Sequence, residues 1–253
     1  MISSALTSLN GKVAVITGGA GVIGEALAEY LLAWGVKVVL ADIDCQKGEA
    51  LSGQLGCEFL QVDVSDDSEN QRMIETAVKN HGRLDLVFLN AGVSSQSLGA
   101  PLPYDPAKID IKSYREMLAV NIDGPVFGAS AAIPALADNG GGAIVITSSV
   151  AGLIPWALDP VYTISKHGLI GYVRSLANEL STRDITINAI CPGGTGRPNT
   201  IQLPPGVALL APEILASAMV AVATDGGTGR AASVVANRDP VVQFFGFGEV
   251  EGF

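Results

Sequence analysis

Short runs of Val, Ile, Leu and Ala recur along this chain, apolar throughout instead of alternating with polar residues, and longer segments of helical period separate them. A strand that is apolar on both sides must be buried on both faces, the situation of a parallel sheet covered by helices. The pattern predicts strands at Val13–Thr17, Lys37–Asp42, Glu58–Val62, Leu84–Asn90, Ala143–Ser148, Thr186–Cys191 and Ala232–Ala236. Helices are expected at Gly24–Trp34, Gln46–Leu55, Asp66–His81, Tyr114–Asp138, Pro160–Thr182 and Pro212–Thr224. Ser113 followed by Glu116 reads as a capping box for the fourth helix, and Gly140–Gly142 as its stop. The expected architecture is α/β: a doubly wound, Rossmann-type domain of about seven parallel strands with helices on both faces.

With 253 residues and 48% of them hydrophobic, the chain can build one large core, so a single domain over 1–253 is expected. No apolar run reaches membrane-spanning length, and Met1–Gly11 has neither the basic nor the apolar region of a signal peptide. A cytoplasmic location is therefore expected. The formal charge of −10 disfavours a nucleic-acid partner, whose phosphates need clustered Lys and Arg. Cys45, Cys57 and Cys191 lack the spacing of zinc ligands and are read as free thiols, with no metal expected.

Between the first strand and the first helix lies Thr17-Gly18-Gly19-Ala20-Gly21-Val22-Ile23-Gly24. Small residues there let backbone N–H groups approach a pyrophosphate at a helix N-terminus. Asp42 ends the second strand 24 residues after Gly18, where a carboxylate can accept from both adenosine ribose hydroxyls and repel a 2′-phosphate. No Lys or Arg in Gly18–Gly24 or at Ile43-Asp44 would neutralise that phosphate, so NAD is favoured over NADP. Asp63-Val64 and Asn90-Ala91-Gly92 close the third and fourth strands, on the edge where adenine and ribose would lie; residues of these types also serve as ordinary turn formers.

Tyr162 and Lys166 are four apart near the start of a helix and share one face. A nearby ammonium favours phenolate over phenol, which would lower the Tyr pKa toward the range of a general base. Ser148-Ser149 close the fifth strand 13 residues before Tyr162, and a hydroxyl there opens into the same crevice and could hold a substrate oxygen. His81 ends a helix and His167 is turned about 100° from Lys166, so both read as structural. Trp156 is either a substrate-pocket wall or packing. No nucleophile-elbow motif presents a serine for hydrolysis.

In order and spacing, the Thr-Gly turn, Asp42, Asp63, Asn90-Ala91-Gly92, Asn121, Ser149, the Tyr162-x-x-x-Lys166 pair and Pro192-Gly193 resemble the short-chain dehydrogenase/reductase superfamily, over about Asn10–Ala236. The resemblance implies that Tyr162 is the catalytic acid/base, Ser149 orients substrate, Lys166 binds the nicotinamide ribose and lowers the Tyr pKa, and Asn121 holds a proton-relay water. It implies cofactor contacts from Gly18, Gly21, Val22, Ile23, Gly24, Asp42, Ile43, Asp63, Val64, Asn90, Ala91, Gly92, Tyr162, Lys166, Pro192, Gly193 and Thr195. Substrate contacts would come from Ser149, Trp156 and Tyr162.

Three departures stand out. Gly21 and Gly24, with Val22 where glycine is usual, are more like the nucleotide-sugar epimerase branch, although the chain is short for that branch. Gly194-Thr195-Gly196-Arg197 follows Pro192-Gly193 in place of an apolar residue and a later threonine. The tail at 237–253, with Phe244, Phe245, Phe247 and Phe253, looks somewhat like that of the hydroxyprostaglandin dehydrogenase-like members.

The expected reaction is hydride transfer between NAD(H) and a secondary alcohol or ketone. The alternatives are a 3-oxoacyl-thioester reductase and a non-catalytic NAD-binding or sensing protein. The segment 196–211, apolar and uncharged between Arg197 and Glu213, is either a lid over a largely apolar substrate, with Leu209 and Leu210 lining the pocket, or a packed surface loop. Apolar residues on more than one face of the helix Pro160–Thr182, together with the resemblance, predict a homodimer or homotetramer.

Overall fold

The computed structural model of the chain describes residues 9–99, 105, 107–197 and 206–248. Strands are β1 (Val13–Thr17), β2 (Lys37–Asp42), β3 (Glu58–Gln61), β4 (Leu86–Leu89), β5 (Gly142–Thr147), β6 (Ile185–Pro192), β7 (Ala231–Val234) and β8 (Val242–Phe244). Helices are α1 (Val22–Ala33), α2 (Cys45–Leu55), α3 (Asp67–His81), α4 (Ile111–Leu118), α5 (Gly124–Asp138), α6 (Pro160–Ser181) and α7 (Pro212–Thr224). All described strands join one sheet in the order β3-β2-β1-β4-β5-β6-β7-β8. The order reverses between β1 and β4, and that switch point opens a crevice beyond the strands' carboxyl ends.

The continuous apolar strands have the predicted cause. Val13 and Val15 of β1 face a core shared with α3, α5 and α6, while Ala14 and Ile16 face a second core under α1 and α7. All four are fully buried. Each large aliphatic side chain so buried contributes roughly 1.5–3 kcal/mol before chain ordering is subtracted. A charge at any β1 position would therefore break the fold, because neither side of the strand offers water.

Three elements differ from the sequence-based expectation. An eighth strand exists, and it is antiparallel: β8 returns beside β7 with Ala232 opposite Phe244 and Val234 opposite Val242. The connecting turn passes through Asn237 at φ 61°, so the Asn-Arg-Asp-Pro stretch is a hairpin turn and the tail belongs partly to the sheet. The fourth predicted helix starts at Ile111, with Asp110 as its cap. Asp110 accepts from Lys112 N at 3.1 Å, and Ser113, inside the helix, donates its hydroxyl to Asp110 at 2.6 Å, so the Ser113–Glu116 capping box does not form. That helix also passes through a π-helical turn at Ala119–Asp123 before continuing as α5.

Of the segment 196–211, residues 198–205 lie outside the described residues, among them Ile201 and Leu203. Its two ends are tied: Leu210 N donates to Gly194 O at 2.8 Å, and Gly196 N to Leu210 O at 3.2 Å. Leu210 is buried in the core beside α7 and does not line a pocket, because this pairing turns it inward; Leu209 remains half-buried. All three cysteines are free. Among the described residues no helix is long and apolar enough to cross a membrane, and no cluster of metal-ligating side chains occurs.

Candidate active site

The glycine-rich turn is built by close approach. Gly18 has φ +64°, and a Cβ there would stand 2.8 Å from Ala91 Cα. A Cβ on Gly24 would collide with Gly18 O. These glycines let β1, α1 and the end of β4 meet where side chains would keep them apart. Gly21 caps α1 without a side-chain hydrogen bond, which leaves the first N–H groups of that helix without a side-chain partner, as an anion site requires.

A cavity of about 420 Å³ opens beside this turn. Its walls collect Gly18, Gly21, Val22, Ile23, Asp42, Ile43, Asp63, Val64, Asn90, Ala91 and Gly92, predicted from segments far apart in sequence. Val62, Val93, Glu116 and Val120 complete it and were not singled out, since an apolar residue or a helix glutamate has no local signature of a cavity wall. Three carboxylates, Asp42, Asp63 and Glu116, line the cavity, and no Lys or Arg stands among its lining residues. Asp42 accepts from Ala20 N and Asp44 N, both at 3.0 Å, which fixes its carboxylate at the rim. Asp63 is fixed by Ser65, whose N–H and hydroxyl donate to it at 2.9 and 2.7 Å.

Asn90 acts as a brace. Its amide donates to Thr17 O and Gly18 O at 3.2 and 3.4 Å, and it accepts from Thr147 Oγ1 at 3.1 Å. That joins the ends of β1, β4 and β5, so what this segment presents to the cavity is chiefly backbone. Asn121 is similarly committed: it accepts from Val93 N at 2.8 Å and donates to Val93 O at 2.8 Å and to Ser165 Oγ at 3.0 Å.

Beside Gly92, which lines the cavity, stands Lys166, 3% exposed, its ammonium 3.2 Å from where a Cβ on Gly92 would lie. It donates to Thr147 O at 2.9 Å and lies 5.5 Å from the centre of the Tyr162 ring. Ser149 caps the 3₁₀ turn Val150–Gly152, accepting from Ala151 N at 3.1 Å, and its hydroxyl is near enough to Tyr162 to lower the phenol pKa. Ser149, Tyr162 and Lys166 are thus neighbours of one another, and Lys166 joins them to Gly92 of the cavity wall.

The electrostatics differ from the expectation. Burial pushes the Tyr162 phenol above its usual pKa, Ser149 pulls it down, and Asp159 and Cys191 add to the rise. The expected lowering of the Tyr162 pKa by Lys166 is not found, and burial brings Lys166 itself down to about 8. Cys191, at the end of β6, is pushed up to about 12 by burial.

Like Gly24, Ser149, Tyr162 and Lys166, the remaining candidates lie outside the cavity lining. Pro192 ends β6, Gly193 N donates to Val234 O at 2.9 Å, and Thr195 turns its hydroxyl back to Gly193 O at 3.0 Å. Trp156 is half-buried in the turn before α6, its carbonyl accepting from Asp159 N at 3.2 Å. His81 pairs with Glu58 at 2.9 Å, at the first residue of β3, and His167 is exposed and bonded to Thr163 O at 3.0 Å.

The family described as short chain dehydrogenase matches residues 12–206. Momilactone A synthase of Oryza sativa subsp. japonica is 32% identical over 246 residues, covering 89% of this chain and 88% of that protein. The human NAD(+) 15-hydroxyprostaglandin dehydrogenase is 36% identical over 197 residues, 73% of this chain and 68% of that protein. The crystal structure of a 3-ketoacyl-(acyl-carrier-protein) reductase from Brucella melitensis, complexed with NADH, superposes with a TM-score of 0.82 at 26% identity, covering 91% of this chain and 99% of that one.

Proposed function

Since the chain belongs to the short-chain dehydrogenase family, we propose that it is an NAD-dependent oxidoreductase acting on a largely apolar secondary alcohol or ketone. The observation that carries this reading is the meeting of Tyr162, Ser149 and Lys166 beside Gly92, a residue of the cavity walled by the glycine-rich turn and Asp42.

The cavity suits a dinucleotide by its own chemistry: glycines without side chains, an uncapped helix N-terminus for a pyrophosphate, and Asp42 for ribose hydroxyls. The acidic lining supports NAD over NADP, because a 2′-phosphate would meet carboxylates and no cation there. Bound nicotinamide supplies the hydride acceptor or donor. The protein's part is the proton. Tyr162 takes the hydroxyl proton of the alcohol in oxidation and returns it to the carbonyl oxygen in reduction, while Ser149 holds that oxygen and Lys166 supplies positive charge and a ribose donor. With its pKa raised, Tyr162 is a phenol at neutral pH. Reduction should therefore run at neutral pH and oxidation gain as pH rises. The Asn121 side chain is spent on Val93 and Ser165, so a relay water would use its backbone carbonyl in the π turn.

An apolar substrate is supported by the state of Arg197, which pairs with Glu25 at 3.1 Å and Glu213 at 3.8 Å. An anionic substrate would have to compete with both. The tied ends of 196–211 support its role as a lid. A homodimer or homotetramer is proposed through α6, where Ile164 is 57% exposed while Leu169, Ile170 and Val173 are buried against the sheet.

The test is a screen of secondary alcohols, hydroxy acids, sugars and 3-hydroxyacyl thioesters with NAD and NADP, read at the NADH absorbance band. Turnover of apolar alcohols with NAD well above the rest is the expected result. Preference for the thioester would favour the reductase reading, for which the NADH-bound Brucella protein is the supporting likeness. Cofactor binding without turnover of any alcohol or ketone would favour the non-catalytic one.

A further inference from the structure

Tyr162 is gripped on both sides of its peptide. Its N–H donates to Asp159 Oδ1 at 3.1 Å, and its carbonyl accepts from Ser165 Oγ at 2.7 Å. Each grip leads to the same place. Asp159 Oδ1 also accepts from Ser95 Oγ at 2.8 Å, and its Oδ2 accepts from Ser95 N at 3.0 Å. Ser165 Oγ accepts from Asn121, which clasps both backbone groups of Val93. Two hydrogen-bond paths thus run from the Tyr162 backbone to residues 93 and 95, in the loop after β4.

Asp159 is unlike the other aspartate caps. The carboxylates of Asp44, Asp66 and Asp110 bond the first turn of their own helix at the surface. Asp159 is 3% exposed, as is Ser95, and its second oxygen is given wholly to a residue 64 positions away. Among the described residues no cation pairs with it. A desolvated carboxylate costs free energy unless hydrogen bonds and a helix N-terminus hold it, and capping by itself would need only one of these bonds. The bonds to Ser95 are what capping leaves unexplained.

We propose that Asp159 is a positioning residue: by its paired bonds to Ser95 it fastens the loop after β4 to the start of α6 and fixes where Tyr162 stands in the crevice. The inference rests on Tyr162 being the proton-transfer group. The groups facing the phenol are Asp159 from the cap of α6, Lys166 from α6 itself, Cys191 from β6 and Ser149 from the turn after β5. Asp159 is the nearby carboxylate among them, and its charge favours the protonated phenol.

Asp159→Asn puts an NH₂ or a lone acceptor where two oxygens are needed, so one Ser95 bond is lost together with the charge. Ser95→Ala removes the hydroxyl bond and leaves the charge. Each full-length variant is assayed with NAD and the best secondary alcohol across pH, beside a thermal melt. Both should lose kcat/KM for the alcohol, by about fivefold for the loss of one hydrogen bond, with KM for NAD unchanged. The pH midpoint for oxidation should move down in Asp159→Asn and stay in place in Ser95→Ala. Wild-type kcat/KM and midpoint in Ser95→Ala and Asp159→Asn, with only a lowered melting temperature, would make Asp159 a plain cap and overturn the proposal. If Asp159→Asn does not fold, unchanged kcat/KM in Ser95→Ala overturns it equally. Tyr162→Phe separates the premises: an active Tyr162→Phe removes the underlying reading, whereas an inactive one beside unperturbed Ser95 and Asp159 variants removes only this inference.

Discussion

The two edges of the sheet treat buried charge in opposite ways. At the amino edge Asp85, 2% exposed, precedes β4 and is met by Lys12 at 3.1 Å, by Arg83 through two bonds of 2.6 and 2.7 Å, and by Val13 N at 3.0 Å. Burial pushes its pKa up, but these partners outweigh burial and hold it at about 2. At the carboxyl edge Lys166 and Asp159 are as deeply buried, yet Lys166 has a neutral carbonyl for its bonded partner and Asp159 has a serine and a helix terminus. Among the described residues neither has an ion-pair partner. Cancelled charge at one edge serves the fold, and charge left uncancelled beside a cavity is what a reacting group can use.

The contrast can be broken most severely at Tyr162. Tyr162→Phe keeps the ring and removes the proton-transfer group, so turnover should fall by at least about a hundredfold with the melting temperature and NAD affinity nearly unchanged. Turnover close to wild type would end the assignment of chemistry to this edge. The opposite edge should show the opposite split: Asp85→Asn should cost on the order of 2 kcal/mol of stability, discounted for the partial exposure of Lys12 and Arg83, and leave kcat intact. A chemical-denaturation midpoint that stayed fixed would show that the edge is not held by this cluster.

Acid sharpens the same point. Because the folded pKa of Asp85 lies below its unfolded value, its contribution is present above about pH 4 and lost as pH falls toward 2. Asp85→Asn should therefore flatten part of the acid limb of the stability curve. Asp42→Ala, at the cavity rim, is expected to narrow the preference for NAD over NADP by about tenfold, the worth of one charge-assisted contact and one repulsion. An unchanged ratio of kcat/KM values for the two cofactors would place cofactor discrimination elsewhere. Leu209→Ser should have the smallest stability effect, within about 0.5 kcal/mol for a half-buried loop residue, and should act on KM for apolar alcohols. Loss of stability without a KM change would favour a packed loop over a lid.

Much of this was legible in advance because it is written locally. Continuous apolar strands gave the parallel sheet, the glycine turn marked the start of α1, and Asp42, Asp63 and Asn90-Ala91-Gly92 sit at strand ends that topology brings to one cavity. β8 escaped notice because its three residues are held by pairing to β7 and carry little signal of their own. The cap at Asp110 escaped because Ser113 and Glu116 matched a pattern that the helix had already passed.

The sequence by itself determined the order of elements, the glycine-rich turn between β1 and α1 and the spacing that puts Tyr162 and Lys166 on one helical face, since each depends on periodicity or on residues a few positions apart. Tertiary structure alone decided which way the Tyr162 pKa moves, that Arg197 is engaged by Glu25 and Glu213, and that Asp159 reaches Ser95. Desolvation and hydrogen bonds between distant segments depend on what packs around a group, and only the folded chain brings those neighbours into place.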